Sequence, residues 1–363
     1  MSNKLVEFIE NSFLKDLLKI DTVTDISYNG EDIYYQDNIL GRQKYTLPLT
    51  NQKAYDFIRQ IANLSDSQFS FQSPILDVSV DRYRINATHF ALARKNREQA
   101  INFSIRIGYT KLRIKDDEKF ITKKCLSLAQ IFLKKRLSII IGGTTSSGKT
   151  ELQKYLISKL DANSRLIILD NVEELETDDF LKDIDSQTWL LRKNLDLTYN
   201  DLIKNALRNN PDWLVLSEAR GKEMLSILNA AMTGHPTIST IHAKGADFVY
   251  RRMARMCLQN GENLRYKEVL EDLYDHFKII FYVNKSYDNE GKIFRYLDKI
   301  GTNYHNKYYE LYSFPNTYHP FPEDFKKELN LSDDEFNFIN NAWTSQSNFI
   351  SYKENTYEKT QYI

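Results

Sequence analysis

The spacing of hydrophobic positions along the chain changes near residue 108. Before that point, a segment with helical spacing at 54–64 lies between segments of period two at 23–38 and 74–93. Turn residues at Asn29-Gly30 interrupt the first of these segments, which predicts a β-hairpin. We therefore predict a small α+β domain over residues 1–108.

A second pattern follows a charged stretch without clear period, which we interpret as a linker at 109–126. Apolar runs such as 139–141 and 165–170 then alternate with segments of helical spacing. This alternation is typical of an α/β fold with a largely parallel sheet and helices on both faces. It defines a predicted second domain at 127–314. Residues 315–363 contain one predicted helix and no recognisable chemistry, so they form a C-terminal extension of unknown role.

Composition excludes some classes of function and leaves others open. The chain has 363 residues, 42% of them hydrophobic, and equal numbers of acidic and basic side chains, 49 of each. A neutral chain gives no support to a broad electrostatic interaction with nucleic acid. The sequence has two cysteines and no leader-like start, which predicts a cytoplasmic protein. It has no apolar run of about 20 residues, which predicts that the chain does not insert into a membrane.

The candidate chemistry lies at Leu137–Glu151, where an apolar strand leads into Gly143-x-x-x-x-Gly148-Lys149-Thr150 and then into a helical segment. This is the phosphate-binding loop in its expected strand–loop–helix context, so a chance match is a poor explanation. Main-chain N–H groups surround a phosphate, a lysine reaches the β and γ oxygens, and a threonine hydroxyl binds Mg²⁺. ATP and Mg²⁺ are the predicted ligands. The predicted nucleotide-binding residues are Gly143, Thr144, Thr145, Ser146, Ser147, Gly148, Lys149, Thr150 and Glu151.

Three polar side chains stand at the ends of apolar strands in the second domain. They are Asp170 after 165–169, Glu218 after 213–217 and His242 after 236–241. The carboxyl ends of parallel strands meet at one edge, where a metal ion and an attacking water could be held. Each residue alone also fits a plainer role, such as a charge near a helix N-terminus or a hydrogen-bonded polar group.

The chain resembles the secretion ATPase family of type II and type IV systems, both in the order of these motifs and in the run 205–243. The branch that powers type IV secretion, conjugation and tight-adherence pili is the most similar. The resemblance extends over residues 20–300. It implies a RecA-like P-loop ATPase domain, a homo-hexameric ring and ATP hydrolysis at subunit clefts. It also implies domain motion that powers transfer of substrate or assembly of a pilus or channel, at the inner face of the cell membrane and through membrane-embedded partners.

The resemblance also implies roles for individual residues. Arg84 and Arg106 fall where the family's N-terminal domain presents arginines to the phosphates, although by composition alone they would be solvent-facing strand residues. Glu218 matches the Walker B glutamate of the family, and Arg220 and Glu223 belong to the same Walker B segment, residues 213–223. Arg208 matches a family position whose role the sequence leaves open. The implied catalytic residues are Glu218, Lys149, His242, Arg106 and Arg84. The implied metal ligands are Thr150, Asp170, Glu174 and Glu218.

The chain departs from the family pattern at three positions. Asn171 stands where a second acid usually follows the first, Asp170 replaces the commoner glutamate, and Ser146 occupies a position that is often glycine. Two alternatives to an active secretion ATPase stay open, and Asn171 supports the first of them. One is a nucleotide-gated assembly module with little hydrolysis, and the other is a RecA-like nucleic-acid motor.

Overall fold

The computed structural model describes residues 2–108, 112–114, 119–170, 175, 177, 180–191, 196–261 and 263–344. The strands are β1 (Val23–Tyr28), β2 (Ile33–Asp37), β3 (Gly41–Tyr45), β4 (Ile75–Val80), β5 (Tyr83–Thr88), β6 (Arg94–Lys95), β7 (Glu98–Gln99), β8 (Asn102–Ile107), β9 (Ile139–Gly143), β10 (Arg165–Asp170), β11 (Asp185–Leu190), β12 (Trp213–Ala219), β13 (Thr237–His242), β14 (Ile279–Tyr287), β15 (Ile293–Tyr304), β16 (Lys307–Ser313) and β17 (Thr317–Tyr318). The α-helices are α1 (Ser2–Glu10), α2 (Lys15–Leu18), α3 (Asn51–Leu64), α4 (Lys123–Lys134), α5 (Lys149–Ile157), α6 (Tyr199–Leu207), α7 (Glu223–Met232), α8 (Val249–Cys257), α9 (Tyr266–His276), α10 (Glu323–Glu328) and α11 (Asp333–Thr344). Short 3₁₀ turns occupy Ala246–Phe248 and Leu258–Asn260.

The period-two segments before residue 108 form one antiparallel sheet in the order β3-β2-β1-β8-β5-β4. Helix α3 packs on this sheet through a face that includes the buried Phe57 and Ile61. Thr50 caps the helix by accepting a hydrogen bond from the main-chain N–H of Lys53. Asp81 lies in the β4–β5 turn with φ of 48°. The hairpin predicted at Asn29-Gly30 is confirmed, because β1 and β2 pair as antiparallel neighbours on either side of that turn.

The second sheet has nine strands in the order β11-β10-β12-β13-β9-β14-β15-β16-β17. Neighbouring strands from β11 to β14 are parallel, and β15 to β17 continue the sheet as an antiparallel meander. Ile139 and Ile141 point into a core with α4 and α5, while Ile140 points into a core with α6 to α9. The α/β fold class with helices on both faces is thereby confirmed.

Much of the segment after residue 314 packs into the core that contains α4 and α5. Strand β17 extends the sheet, and Phe325 and Ile339 of α10 and α11 are buried in the cluster that contains α4. Glu335 accepts a hydrogen bond from Lys135 at 2.8 Å. That bond, with one from the main-chain N–H of Ser332, lowers the pKa of Glu335 to about 2. In the described part of the chain, no helix is both long enough and apolar enough to span a bilayer.

Candidate functional site

The loop between β9 and α5 has the backbone shape that its sequence predicts. Gly148 has φ of 100° and Ser146 has φ of 59°, both in the left-handed region that glycine adopts most easily. This conformation explains in physical terms why a glycine at position 146 would be favoured. A side chain at Gly143 would place its Cβ 2.6 Å from the carbonyl oxygen of Val283, so the loop lies directly against β14.

The first residue of α5, Lys149, is 7% exposed and points into the loop. Its Nζ donates to the carbonyl oxygen of Thr144 at 2.9 Å and lies 3.2 Å from Nδ1 of His242. An ammonium group can only donate, so Nδ1 accepts and the ring proton is on Nε2. That Nε2 lies 3.1 Å from Oε1 of Glu218. Lysine, histidine and glutamate therefore form one hydrogen-bonded chain beside the loop.

Burial and three charged neighbours, Lys149, Glu218 and Arg220, set the pKa of His242. Burial is the largest influence and lowers the pKa of His242, and the ammonium of Lys149 lowers it further. The carboxylate of Glu218 acts in the other direction. His242 is therefore neutral near pH 7, as its role as an acceptor from Lys149 requires.

Glu218 is 8% exposed, and its carboxylate also accepts a hydrogen bond from Nη2 of Arg220 at 2.9 Å. Glu223, at the start of α7, accepts from the main-chain N–H groups of Arg220 and Gly221 at 2.5 and 2.9 Å. Glu223 thus fixes the turn that follows β12. The Walker B segment contains one carboxylate directed at the loop and one that supports the local backbone.

The ladder between β12 and β13 slips out of register between Leu216 and Ala219, at the point where Glu218 enters the site. One side chain of α5 and one of β13 donate hydrogen bonds to the main-chain carbonyls of β12 there. Nε2 of the fully buried Gln153 donates to Leu216 O at 2.7 Å, and Oγ1 of Thr240 donates to Ser217 O at 2.8 Å. Irregular strand pairing redirects a side chain, as bulges near active sites commonly do. Sequence reasoning missed both Gln153 and Thr240.

A cleft of about 900 Å³ separates the phosphate loop from the first sheet. The predicted site residues that line it are Thr145, Ser146, Ser147, Gly148, Lys149, Thr150, Glu151, Glu218, His242, Arg84 and Arg106. Arg84 and Arg106 are cross-strand neighbours on β5 and β8, and Nε of Arg106 lies 4.0 Å from Oδ1 of Asp25 on β1. The structure therefore brings two arginines from the first sheet to the same cleft as Lys149 and Glu218.

Other predicted residues lie elsewhere. The carboxylate of Asp170 is buried, accepts a hydrogen bond from the N–H of Leu175 at 2.9 Å, and does not line the cleft. Arg208 is exposed at the end of α6 and does not line it either. Glu174 and Asn171 are outside the described residues.

The cleft presents oxygen donors to a metal ion rather than a preformed cluster of ligands. Among the described residues, no group of three or more histidine, cysteine or acidic side chains is arranged to hold a metal. The hydroxyl of Thr150 and the carboxylate of Glu218 are oxygen donors that line the cleft and suit Mg²⁺. Two such donors beside the phosphate loop suit an ion that takes much of its coordination from phosphate and water.

Comparisons with known proteins agree with this geometry. Residues 104–271 match the family described as "Type II/IV secretion system protein". An uncharacterized protein of Bacillus anthracis is 30% identical over 297 residues, which are 77% of this chain and 64% of that protein. The type IV secretion system protein VirB11 of Brucella suis is 32% identical over 165 residues, 42% of this chain and 45% of that protein. The chain thus spans less than two thirds of the length of these relatives.

Solved structures share the fold. The ATPase DotB of Yersinia pseudotuberculosis matches with a TM-score of 0.61 at 15% identity, covering 94% of this chain and 84% of that one. At this level of identity the likeness concerns the arrangement of helices and strands. It agrees with the RecA-like domain and smaller N-terminal domain that the sequence predicts.

Proposed function

Because the chain belongs to the type II/IV secretion ATPase family, in its type IV branch, we propose that it binds ATP with Mg²⁺ in the cleft and hydrolyses it. The energy would power substrate transfer or the assembly of a pilus or channel in a type IV secretion or conjugation-like system. The hydrogen-bonded chain from Lys149 through His242 to Glu218 is the observation on which this proposal depends. It joins a phosphate-binding group to a carboxylate placed to act on water.

The residues of the loop suit a triphosphate. The main-chain N–H groups at 145–150 and the N-terminus of α5 would surround the β- and γ-phosphates. Lys149 would exchange its bond to Thr144 O for phosphate oxygens, which are stronger acceptors for an ammonium group. Bound Mg²⁺ would neutralise phosphate charge, with Thr150 among its ligands.

Glu218 would orient and polarise the attacking water. Its carboxylate is held on one side by Arg220 and on the other by His242, so its direction into the cleft is fixed before nucleotide enters. If phosphate drew Lys149 away from Nδ1 of His242, the histidine would lose one partner and keep Glu218. His242 would then report nucleotide state to the carboxylate.

Arg84 and Arg106 would bind phosphate from the opposite side of the cleft. Arg106 is half exposed, and its ion pair with Asp25 is long, so a phosphate could replace that partner at small cost. Planar guanidinium groups suit phosphate oxygens. We further propose that a homo-hexamer is the working form and that membrane-embedded components of the machine are its partners.

Two variants test the function. Lys149→Ala removes a charge-assisted donor worth about 1.5–3 kcal/mol, so ATP should bind roughly 10- to 150-fold more weakly. Glu218→Gln keeps the shape of the side chain, so ATP should still bind while phosphate release falls by about 10²- to 10⁴-fold. Nucleotide affinity and phosphate release are measured on the same preparations.

Lys159→Ala is the matched control, because Lys159 follows α5 and is exposed away from the cleft. Normal activity of Lys149→Ala would remove the loop from the mechanism. A parent protein that binds ATP without releasing phosphate would favour the nucleotide-gated assembly module. Mass measurement with and without ATP and Mg²⁺ tests the hexamer.

A further inference from the structure

The main chain at the beginning of β15 contacts two separate parts of the molecule. The N–H of Ile293 donates to the carbonyl of Ile39, in the β2–β3 turn, at 2.7 Å. The N–H of Leu297 donates to the carbonyl of Phe120, just before α4, at 2.7 Å. These bonds form because β16 pairs with β15 only from Lys299 onward, which leaves one edge of residues 293–297 available. This edge therefore joins the second sheet to the first sheet and to the chain segment between them.

Between these two main-chain bonds, the side chain of Arg295 connects the first sheet to the phosphate loop. Its Nε donates to the carbonyl of Ser146 at 2.8 Å, and its Nη1 donates to the carbonyl of Asn38 at 2.9 Å. A guanidinium group is planar and rigid, so it fixes the separation of the two acceptors. A shift of the β2–β3 turn relative to the loop would break at least one of these bonds.

The acceptor in the loop, the carbonyl of Ser146, belongs to a residue with a strained backbone conformation. Ser146 adopts a left-handed conformation that costs a residue with a side chain about 1–2 kcal/mol, so an external contact is needed to favour it. Phe120 and Arg295 also pack over Gly148, since a Cβ at that position would lie 3.0 Å from the Phe120 ring and 3.8 Å from Cδ of Arg295. The shape of the loop therefore depends on residues beyond it.

Asn38 is firmly connected to the arginines of the first sheet. Its N–H donates to the carbonyl of Thr22 at 2.8 Å, directly before β1. Strand β1 pairs with β8, which places Asp25 opposite Arg106, and β8 pairs with β5, which places Arg84 opposite Arg106. A displacement of Asn38 would therefore move Arg84 and Arg106 relative to the cleft.

We propose that Arg295 is a positioning residue that links the conformation of the phosphate loop to the placement of Arg84 and Arg106. The proposal rests on the proposed function, because its consequence for activity requires a nucleotide in the cleft. The link itself is a property of the nucleotide-free protein. It is the route by which phosphate contacts at the loop change the position of the first sheet.

Two substitutions at 295 separate this role from general stability. Arg295→Ala removes both bonds, whereas Arg295→Lys keeps a charge but cannot bridge two carbonyls in fixed geometry. Lys292→Ala is the matched control, because it removes a cation paired with Glu290 immediately before β15, away from the cleft. Thermal denaturation establishes that each variant is folded.

The first measurement is the distance between spin labels at Leu40→Cys, in the β2–β3 turn, and Lys159→Cys, after α5, without nucleotide. The parent and Lys292→Ala should give one narrow distribution, and both variants at 295 should give a broader one. Unchanged distributions for both would overturn the proposal. Because no nucleotide is present, this result does not depend on whether the protein hydrolyses ATP.

The second measurement is a double-mutant cycle between Arg295→Ala and Arg106→Ala, read as kcat/KM for ATP. Arg295→Ala should already displace Arg106, so adding Arg106→Ala should cost less than it does in the parent. The loss of kcat/KM in the double variant should therefore be roughly tenfold smaller than the product of the two single losses, equivalent to about 1.4 kcal/mol. Additive effects would mean that Arg295 acts on the loop or the nucleotide alone, which contradicts the proposal. A parent that neither binds nor hydrolyses ATP would refute the proposed function and leave the distance measurement to decide the link.

Discussion

Gln153→Met tests whether the irregular ladder between β12 and β13 places Glu218 correctly. Gln153 is fully buried on α5, and its Nε2 donates to Leu216 O at 2.7 Å and to Ile238 O at 3.3 Å. Methionine has a similar length and flexibility but cannot donate. The substitution therefore removes the two hydrogen bonds while it largely fills the same space.

The expected loss of stability comes from the carbonyl oxygens that no longer receive a hydrogen bond from residue 153. A buried acceptor without a donor costs about 1–3 kcal/mol, and the shorter bond to Leu216 O is the more important one. The loss is partly offset because Oε1 of Gln153 has no hydrogen-bond partner among the described residues, so methionine relieves an existing penalty. A net destabilisation of about 1–2 kcal/mol should remain, which lowers the melting temperature by roughly 2–8 °C.

Phosphate release should fall by more than the small unfolded fraction of Gln153→Met would explain. Leu216 is two residues before Glu218, at the point where the register slips, so its displacement changes the direction of the carboxylate. We expect phosphate release at a temperature well below melting to fall severalfold, while ATP affinity changes little. Gln52→Met on the exposed face of α3 is the control. Parent-like melting and turnover in Gln153→Met would refute the role of this side chain.

Three further predictions concern packing and pH. Gly143→Ala should prevent normal folding of the loop, because its Cβ would overlap the main-chain oxygen of Val283; a soluble variant that binds ATP normally would contradict this. The pKa of His242 in the folded protein lies below its ordinary value of 6.5, so the free energy of unfolding should decrease as pH falls from about 6.5. In His242→Asn, the urea midpoint of unfolding should depend less on pH over this range. The pKa of Glu335 is about 2, so its contribution should disappear as pH falls from about 4.5 towards 2, and Glu335→Gln should reduce the acid dependence of unfolding.

Local sequence signals were sufficient for most of the two sheets and for the residues around the phosphate loop, but no local pattern indicated that the segment after residue 314 packs against α4. The strand, loop and helix at 139–157 each follow from neighbouring residues, and so does the hairpin at Asn29-Gly30 in the first sheet. Parallel strands then bring Glu218 and His242 to the same edge as the loop, which is why their proximity could be inferred from strand ends.

Side-chain direction was less predictable than strand position. Asp170 ends β10 as expected, yet its carboxylate accepts a hydrogen bond from the main chain at Leu175 and stays out of the cleft. Gln153 looks like any helical polar residue until the register slip between β12 and β13 is known. Such slips depend on packing across the whole sheet, so no local pattern identifies them.

The topology gives position 295 its importance. Strand β14 pairs in parallel with β9 and places Val283 opposite Gly143, so the chain that returns as β15 must pass beside the phosphate loop. Residues 293–297 would lie there whatever their side chains, but an apolar residue at 295 would leave Ser146 O and Asn38 O without their donor. The loop motif thus specifies which residues can bind phosphate. The strand order, which no motif records, determines which residue makes that loop sensitive to the position of the first sheet.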